Sequence, residues 1–167
     1  LRVNVTGYRG NQPVRVSAEV VAPLHAWQGT IEARAEALPL DDRLLAALPE
    51  NVREVLQRLH PTGTLQALVR VWRDSPQDAV HRYVHAVVQG GTLCYDRFAY
   101  PLVGVRGIFE MRDDRWTFRD LEALNDTGRF RASGHLIRTP GGHELRLWLA
   151  GEEVPLEEEL RDALPPS

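Results

Sequence analysis

Apolar and polar residues alternate with a period of two along most of the chain, which is typical of β-strands with one apolar and one wet face. In the first clear stretch, Val14, Val16, Ala18 and Val20 alternate with polar residues, and five later stretches follow the same rule. Turn-forming pairs such as Ser75-Pro76 and Asp113-Asp114 separate these stretches. Short strands joined by such turns predict antiparallel hairpins.

The apolar members of these stretches form the candidate functional surface. We predict that they share one face of the sheet, which either faces lipid or fills an ordinary core. The set consists of Val14, Val16, Val20, Leu65, Val69, Val71, Val84, Val88, Phe130, Leu136, Leu145, Leu147 and Leu149.

A helical segment, residues 40–60, interrupts the strand pattern. Leu40, Leu44 and Leu48 share one face of a first short helix, and Pro49 opens a second helix with an apolar stripe at i, i+3, i+4 and i+7. That stripe consists of Val52, Val55, Leu56 and Leu59. We expect these helices to cap an end or edge of the sheet. The predicted fold class is mainly β (α+β): a bent antiparallel sheet, groove-like or half-barrel-like, with a short two-helix insertion and a C-terminal helical turn.

One short phrase occurs twice in the chain. Residues 39–49 are P-L-D-D-R-L-L-A-A-L-P and residues 155–165 are P-L-E-E-E-L-R-D-A-L-P, an offset of 116 residues (155 − 39). Alternating strands precede both copies, which favours an internal repeat over a helical phrase that recurs by chance. We therefore predict a single domain over 1–167 that is a fragment of a longer repeat protein. Its repeat elements are 37–49 and 153–165, its helical insertion is 40–60, and its β region is 63–150.

Composition excludes several classes of function. The 167 residues are 43% hydrophobic and 26% charged, with a formal net charge of −3, so no excess of positive charge favours nucleic acid. A single cysteine, Cys94, cannot form an internal disulfide. No apolar run approaches the roughly 20 residues that span a bilayer, so no membrane span is expected within this segment.

Candidate catalytic and metal-binding residues are few. On a strand, His81 and His85 would lie about 13 Å apart at about 3.3 Å per residue, too far for one zinc ion. Cys94 has no motif that supplies a base or an oxyanion hole. Asp113-Asp114 is typical of a hairpin turn, and Glu157–Glu159 of a charged first helical turn. The sequence therefore predicts no catalytic residue, no cofactor and no metal.

Two stretches resemble the repeat of AsmA-like envelope proteins. They are residues 98–111, F-A-Y-P-L-V-G-V-R-G-I-F-E-M, and residues 115–136, R-W-T-F-R-D-L-E-A-L-N-D-T-G-R-F-R-A-S-G-H-L. The P-L-D-x-x-L-x-x-A-L-P phrase belongs to the same pattern, and together these stretches cover about half of the chain.

The resemblance implies the AsmA-like and TamB-like class of repeating β-groove proteins, which are thought to bridge membranes and pass phospholipids along an apolar channel. It also implies a place on the periplasmic side of the bacterial cell envelope. The partners it implies are phospholipid acyl chains and neighbouring repeats of the same chain. This sequence departs from the class in lacking the usual N-terminal membrane helix and in carrying the large insertion 40–60.

The predicted function is therefore non-enzymatic: a segment of an AsmA-like envelope protein that contributes to lipid transport or outer-membrane maintenance through an apolar sheet face. The alternative is a β-rich scaffold or binding module in a repeat array, with a closed core and no lipid groove. The two differ in whether a second layer covers the apolar face.

Overall fold

A computed structural model describes residues 1–22, 26–48, 50–96, 98–140, 142–155 and 157–163. Nine strands and three short helices lie within these ranges. In chain order they are β1 (Arg2–Arg9), β2 (Gln12–Val21), β3 (Gln28–Pro39), α1 (Asp42–Ala47), α2 (Glu50–Leu59), β4 (Thr62–Arg73), β5 (His81–Tyr95), β6 (Phe98–Arg112), β7 (Arg115–Asn125), β8 (Gly128–Thr139), β9 (Gly142–Glu152) and α3 (Glu158–Ala163).

The nine strands form one open antiparallel sheet in which spatial order equals chain order, from β1 to β9. Every strand pairs with its sequence neighbours, so the sheet is a succession of hairpins. The predicted fold class is confirmed: the protein is mainly β, with a two-helix insertion between β3 and β4 and a helical turn, α3, after β9. Asp113-Asp114 forms the predicted turn between β6 and β7.

Three β-bulges shift the register in the middle of the sheet. One extra residue enters β5 between Val88 and Gly91, another enters β6 between Val103 and Arg106, and a third enters β7 between Phe118 and Leu121. Each bulge contains one residue with a positive φ: Gly90 at 68°, Gly104 at 61° and Asp120 at 51°. Because a bulge bends its strand and increases the local twist, three of them in adjacent strands bend the sheet along this line.

All three helices lie at the same end of the sheet. The backbone N–H of Leu40 donates to the carbonyl oxygen of Gly63 at 2.9 Å, and that of Asp96 donates to the carbonyl of Arg58 at 2.9 Å. Asp41 caps α1 by accepting from the backbone N–H of Leu44 at 3.0 Å, and it also pairs with Arg9 of the β1–β2 hairpin. The insertion therefore packs on the end of β1 to β5, as the sequence predicts.

The third helix packs against β6 and closes a small local core. Tyr100 is 2% exposed and Ala163 is 6% exposed. The ring of Tyr100 meets that of Phe130 edge to face, with centroids 5.7 Å apart. The buried amide of Asn125 donates from Nδ2 to the carbonyl oxygen of Pro101 at 2.7 Å. This cluster supplies much of the fully buried part of the described chain.

The first helix, α1, and the last, α3, occupy equivalent positions in the repeated phrase. Each has six residues, and each begins three residues after the first proline of its copy, Pro39 or Pro155. Pro49, Leu156, Leu164 and Pro165, which also belong to the two copies, lie outside the described residues. The predicted repeat and domain boundaries stay predictions.

Substitution of Gly134 in β8 tests how closely β8 and β9 pack. A Cβ at this position would overlap the backbone carbonyl oxygen of Arg146 and lie 3.1 Å from Cα of Leu147, whereas a Cβ at Gly7 would meet nothing within 4 Å. We expect Gly134→Ala to lower the free energy of unfolding by about 1–3 kcal/mol, as overpacking does. Gly7→Ala, the matched control in β1, is expected to change it by less than about 0.5 kcal/mol. Urea unfolding measures both, and equal effects would contradict the packing described.

Candidate functional site: the apolar face

Register places two unbroken apolar rows side by side across all nine strands. The first row runs Val5, Val16, Ala33, Val69, Val84, Met111, Trp116, Leu136, Leu145. The second runs Gly7, Val14, Ala35, Ala67, Ala86, Phe109, Phe118, Gly134, Leu147. We call the side that carries these two rows the apolar face. Neither row contains a charged or hydrogen-bonding side chain other than the indole of Trp116.

The structure brings all thirteen predicted apolar positions to this one face. Register or strand alternation assigns each to the same side, including Leu65 and Val88, which pair directly, and Phe130, which lies opposite Ala123. Their exposure is uneven. Val20 is buried and most others are half-buried, but Val69 is 37% exposed and the three leucines of β9 are 50–65% exposed.

No second layer covers the apolar face within the described ranges, where the strands form one sheet. The segment leading into α3 covers only one corner, where Val154 approaches Gly151 and Gly128 beside Phe130. A closed core would leave these alternating positions fully buried, but only Val20, Ala35, Val105 and Ala123 among the sheet's described apolar residues, besides Tyr100, are buried. The apolar face is therefore open to a ligand or partner.

The opposite side of the sheet, which we call the ionic face, is held by ion pairs between strands. Glu32 of β3 is shared by two arginines of this face, and its side chain is 15% exposed. Arg70 donates from Nε at 2.9 Å and from Nη2 at 2.6 Å, and Arg34 donates from Nε at 2.7 Å. The guanidinium of Arg70, helped by Arg34, lowers the pKa of Glu32 below its ordinary value, although partial burial opposes this shift.

Further ion pairs continue along the ionic face toward β9. Glu122 of β7 pairs with Arg106 and lies 3.9 Å from Arg131, and Arg131 also lies 3.5 Å from Glu152. Arg119 donates to Glu110 at 2.7 Å. A surface that carries so many ion pairs is expected to face water, because burying them would cost desolvation free energy. While exposed, each pair contributes little to stability. The two faces therefore differ sharply in what they can contact.

The residues considered for catalysis or metal binding lie on or near the ionic face without forming a metal cluster. His81 stacks on Trp72, with ring centroids 5.1 Å apart, and its Nδ1 lies 3.3 Å from a carboxylate oxygen of Asp113. His85 lies opposite Leu68 and Glu110 in register. Cys94 is half-buried. Among the residues that the structure describes, no group of three or more His, Cys, Asp or Glu side chains could hold a metal ion.

The hydrogen bonds of Asp113 are local to its turn. One carboxylate oxygen accepts from the backbone N–H of Arg82 at 3.0 Å. This bond, with the weaker contact from His81, lowers the pKa of Asp113.

None of the helices within the described ranges is long and apolar enough to cross a bilayer.

Several members of the apolar rows were absent from the predicted set, notably Met111, Trp116, Phe109 and Phe118. The signal that identifies them is the two-residue turn Asp113-Asp114. Counting outward from this turn pairs 111 with 116 and 109 with 118, so these four side chains share a face.

Comparisons of the chain with protein-family models, with curated proteins and with solved structures found no match. The likeness to AsmA-like proteins therefore stays a prediction from the quoted sequence motifs.

The Glu32 cluster predicts a pH-dependent contribution to stability. Because the pKa of Glu32 is lowered in the folded state, its stabilisation is present above its ordinary value of 4.5 and is lost as pH falls through the lower, folded-state pKa. We expect Glu32→Gln to lower the free energy of unfolding by about 1–2 kcal/mol at pH 7. The gap in free energy of unfolding between variant and parent should narrow as pH falls below 4.5.

Glu19→Gln is the matched control, because Glu19 pairs with Arg2 where both side chains are at least 70% exposed. Urea unfolding between pH 3 and 7 measures both variants. A Glu32→Gln effect that is constant over this range would show that charge at Glu32 is not the cause.

Proposed function

We propose that the apolar face binds the acyl chains of lipids, and that the chain is a non-enzymatic segment of an AsmA-like envelope protein that contributes to lipid transport or outer-membrane maintenance. The observation that carries the proposal is the pair of uncharged rows that continue across nine strands without a covering layer. An apolar surface of this extent is a site of interaction in soluble proteins.

The dimensions of the rows suit an acyl chain. Nine strands have eight spacings of about 4.8 Å, so each row is about 38 Å long. Each methylene that leaves water for this surface contributes about 0.8 kcal/mol. A fatty acyl chain laid across the strands would therefore gain several kcal/mol without any specific polar contact.

The composition of the rows also suits a ligand that slides. Most of the central positions are alanine or valine, as at Ala33, Val69, Ala67 and Ala86, which give a shallow and smooth surface. Hydrophobic contact is non-directional, so such a surface holds an acyl chain without fixing its position. This property is what transport along a sheet requires, and it needs no catalytic residue.

A location on the periplasmic side of the bacterial envelope is part of this proposal. It rests on the likeness of residues 98–111 and 115–136 to the AsmA-like repeat. The open sheet with sequential strand order is compatible with such a repeat, because β1 and β9 each pair with a single strand among the described residues.

The second candidate is a scaffold or binding module in a repeat array. The equivalent positions of α1 and α3 in the two copies of the repeated phrase favour it. In that case a protein layer, rather than lipid, would cover the apolar face. Lipid binding by the isolated chain distinguishes the two candidates.

Leu147 and Trp148 of β9 offer a matched test. They are adjacent, 50% and 62% exposed, and they point to opposite faces, since Leu147 pairs with Gly134 in an apolar row and Trp148 pairs with Ser133. We expect Leu147→Glu to weaken binding of a fluorescent fatty acid about fivefold to tenfold, because about 1 kcal/mol of apolar contact is lost. Trp148→Glu is expected to leave binding unchanged.

Val69→Glu, in the middle of the first row, should weaken binding at least as much as Leu147→Glu. Mass spectrometry of the purified parent chain should also detect bound phospholipid. A parent chain that carries no lipid and binds no fatty acid would refute the proposal, as would equal losses in Leu147→Glu and Trp148→Glu.

A further inference from the structure

The ionic face contains a trough at the end of the sheet opposite the helices. Its volume is about 970 Å³, within the range of small-molecule sites. It crosses seven strands, from Arg2 and Asn4 of β1 to Arg115 and Thr117 of β7. The trough lies on the side of the sheet away from the apolar rows, so it is independent of the proposed lipid surface.

The three carboxylates that line the trough are already neutralised. Glu19 accepts from Arg2 at 2.8 Å, and Glu32 accepts from Arg70 and Arg34. Glu110 accepts from the hydroxyl of Tyr83 at 2.9 Å and from Arg119. None of these acids therefore repels an anion strongly.

Two arginines that line the trough take no part in these pairs. Arg112 and Arg115 flank the Asp113-Asp114 turn and lie directly opposite each other in the register. Neither side chain makes a hydrogen bond or ion pair to any residue that the structure describes. The nearby acids have closer partners: Asp113 accepts from the backbone of Arg82 and from His81, and Asp114 lies 3.8 Å from Arg138. The charge of Arg112 also attracts Asp113, but no hydrogen bond or ion pair joins the two side chains.

Like charges directly opposite each other in a sheet are destabilising. An anion between the two guanidinium groups would remove this repulsion and would accept several charge-assisted hydrogen bonds, since arginine matches the oxygens of a phosphate in a forked geometry. The lining also offers neutral polar groups. Asn4, Ser17, Thr30 and Thr117 have side chains with no hydrogen bond to another described residue, and they can bind hydroxyls.

We propose that this trough binds a phosphate ester of a hydroxylated compound, with the phosphate held between Arg112 and Arg115. The hydroxyl groups of the ligand contact the amide and hydroxyl side chains toward β1 to β3. A sugar phosphate and the glycerophosphate of a lipid headgroup share this chemistry.

The test follows the guanidinium Nε–H signals of the ¹⁵N-labelled chain by nuclear magnetic resonance. The probes are inorganic phosphate, glucose 1-phosphate and glycerol 1-phosphate, titrated separately at fixed ionic strength. We expect shifts at Arg112 and Arg115, and tighter binding of at least one ester than of inorganic phosphate. Tighter binding of glucose 1-phosphate would identify a sugar phosphate, and tighter binding of glycerol 1-phosphate would identify a headgroup.

The double variant Arg112→Gln with Arg115→Gln should weaken binding of the preferred ester at least tenfold. The matched control is Arg129→Gln, because Arg129 is also exposed and makes no hydrogen bond or ion pair with another described residue, but it lies outside the trough. Arg129→Gln should leave the affinity unchanged. Equal losses in the double variant and the control would overturn the site, because they would indicate attraction to surface charge alone.

Thermal unfolding gives a second readout that does not depend on the labelled signals. The preferred ester should raise the unfolding temperature of the parent chain but not that of the double variant. Without ligand, the double variant should be at least as stable as the parent, because the opposed charges are gone. A double variant that is less stable without ligand would assign the two arginines a structural role and overturn the proposal. Loss of lipid binding in Leu147→Glu would leave these results unchanged.

Discussion

The structure depends on one constraint: apolar side chains must stay in phase on one side of nine consecutive strands. Since side chains alternate with a period of two, one additional residue in a strand would move every later side chain to the other side. The alternation slips in phase at several places, and the strand pairing shifts its register there, as at the bulges of β5, β6 and β7. In β7, the residues Phe118 and Leu121 are separated by Arg119 and Asp120 instead of one polar residue. The bulge at Asp120 absorbs the additional residue and returns Leu121 to the apolar face.

A sheet held in this way has little interior to stabilise it. Among the residues that the structure describes, buried ones are few and small, apart from Tyr100, and the cluster around α3 covers only one corner. Cross-strand hydrogen bonds and the ion pairs of the ionic face therefore have a larger share of the stability than in a two-layer fold. Cover on the apolar face, whether lipid or protein, would add the hydrophobic contribution that the single sheet lacks.

Local patterns were sufficient to predict the class of fold. Period-two alternation predicted the strands around Val14, Leu65 and Val84. The apolar stripe at i, i+3, i+4 and i+7 predicted the helical insertion. The same patterns missed much of β6 and β7, because the bulges at Gly104 and Asp120 break the alternation there. Likewise, alternation predicted membership of the apolar face but not its openness. Whether a second layer covers a face depends on contacts between distant elements, which a period of two does not contain.

The trough could not be predicted from the same patterns. It combines residues from seven strands, and its unpaired arginines are recognisable only after the acids of the ionic face have been assigned to other partners. Only one part of it was accessible in the sequence, since residues that flank a two-residue turn must lie opposite each other, as Arg112 and Arg115 do.

The two surfaces lie back to back on the same strands. Val16 and Ser17, Val69 and Arg70, and Met111 and Arg112 are neighbours in sequence that point to opposite sides of the sheet. An acyl chain on one side and a phosphate ester on the other would therefore contact the same single-layered sheet. The openness of the sheet is what makes both surfaces accessible at once: a second layer packed on the apolar rows would bury the first surface and leave the trough unchanged.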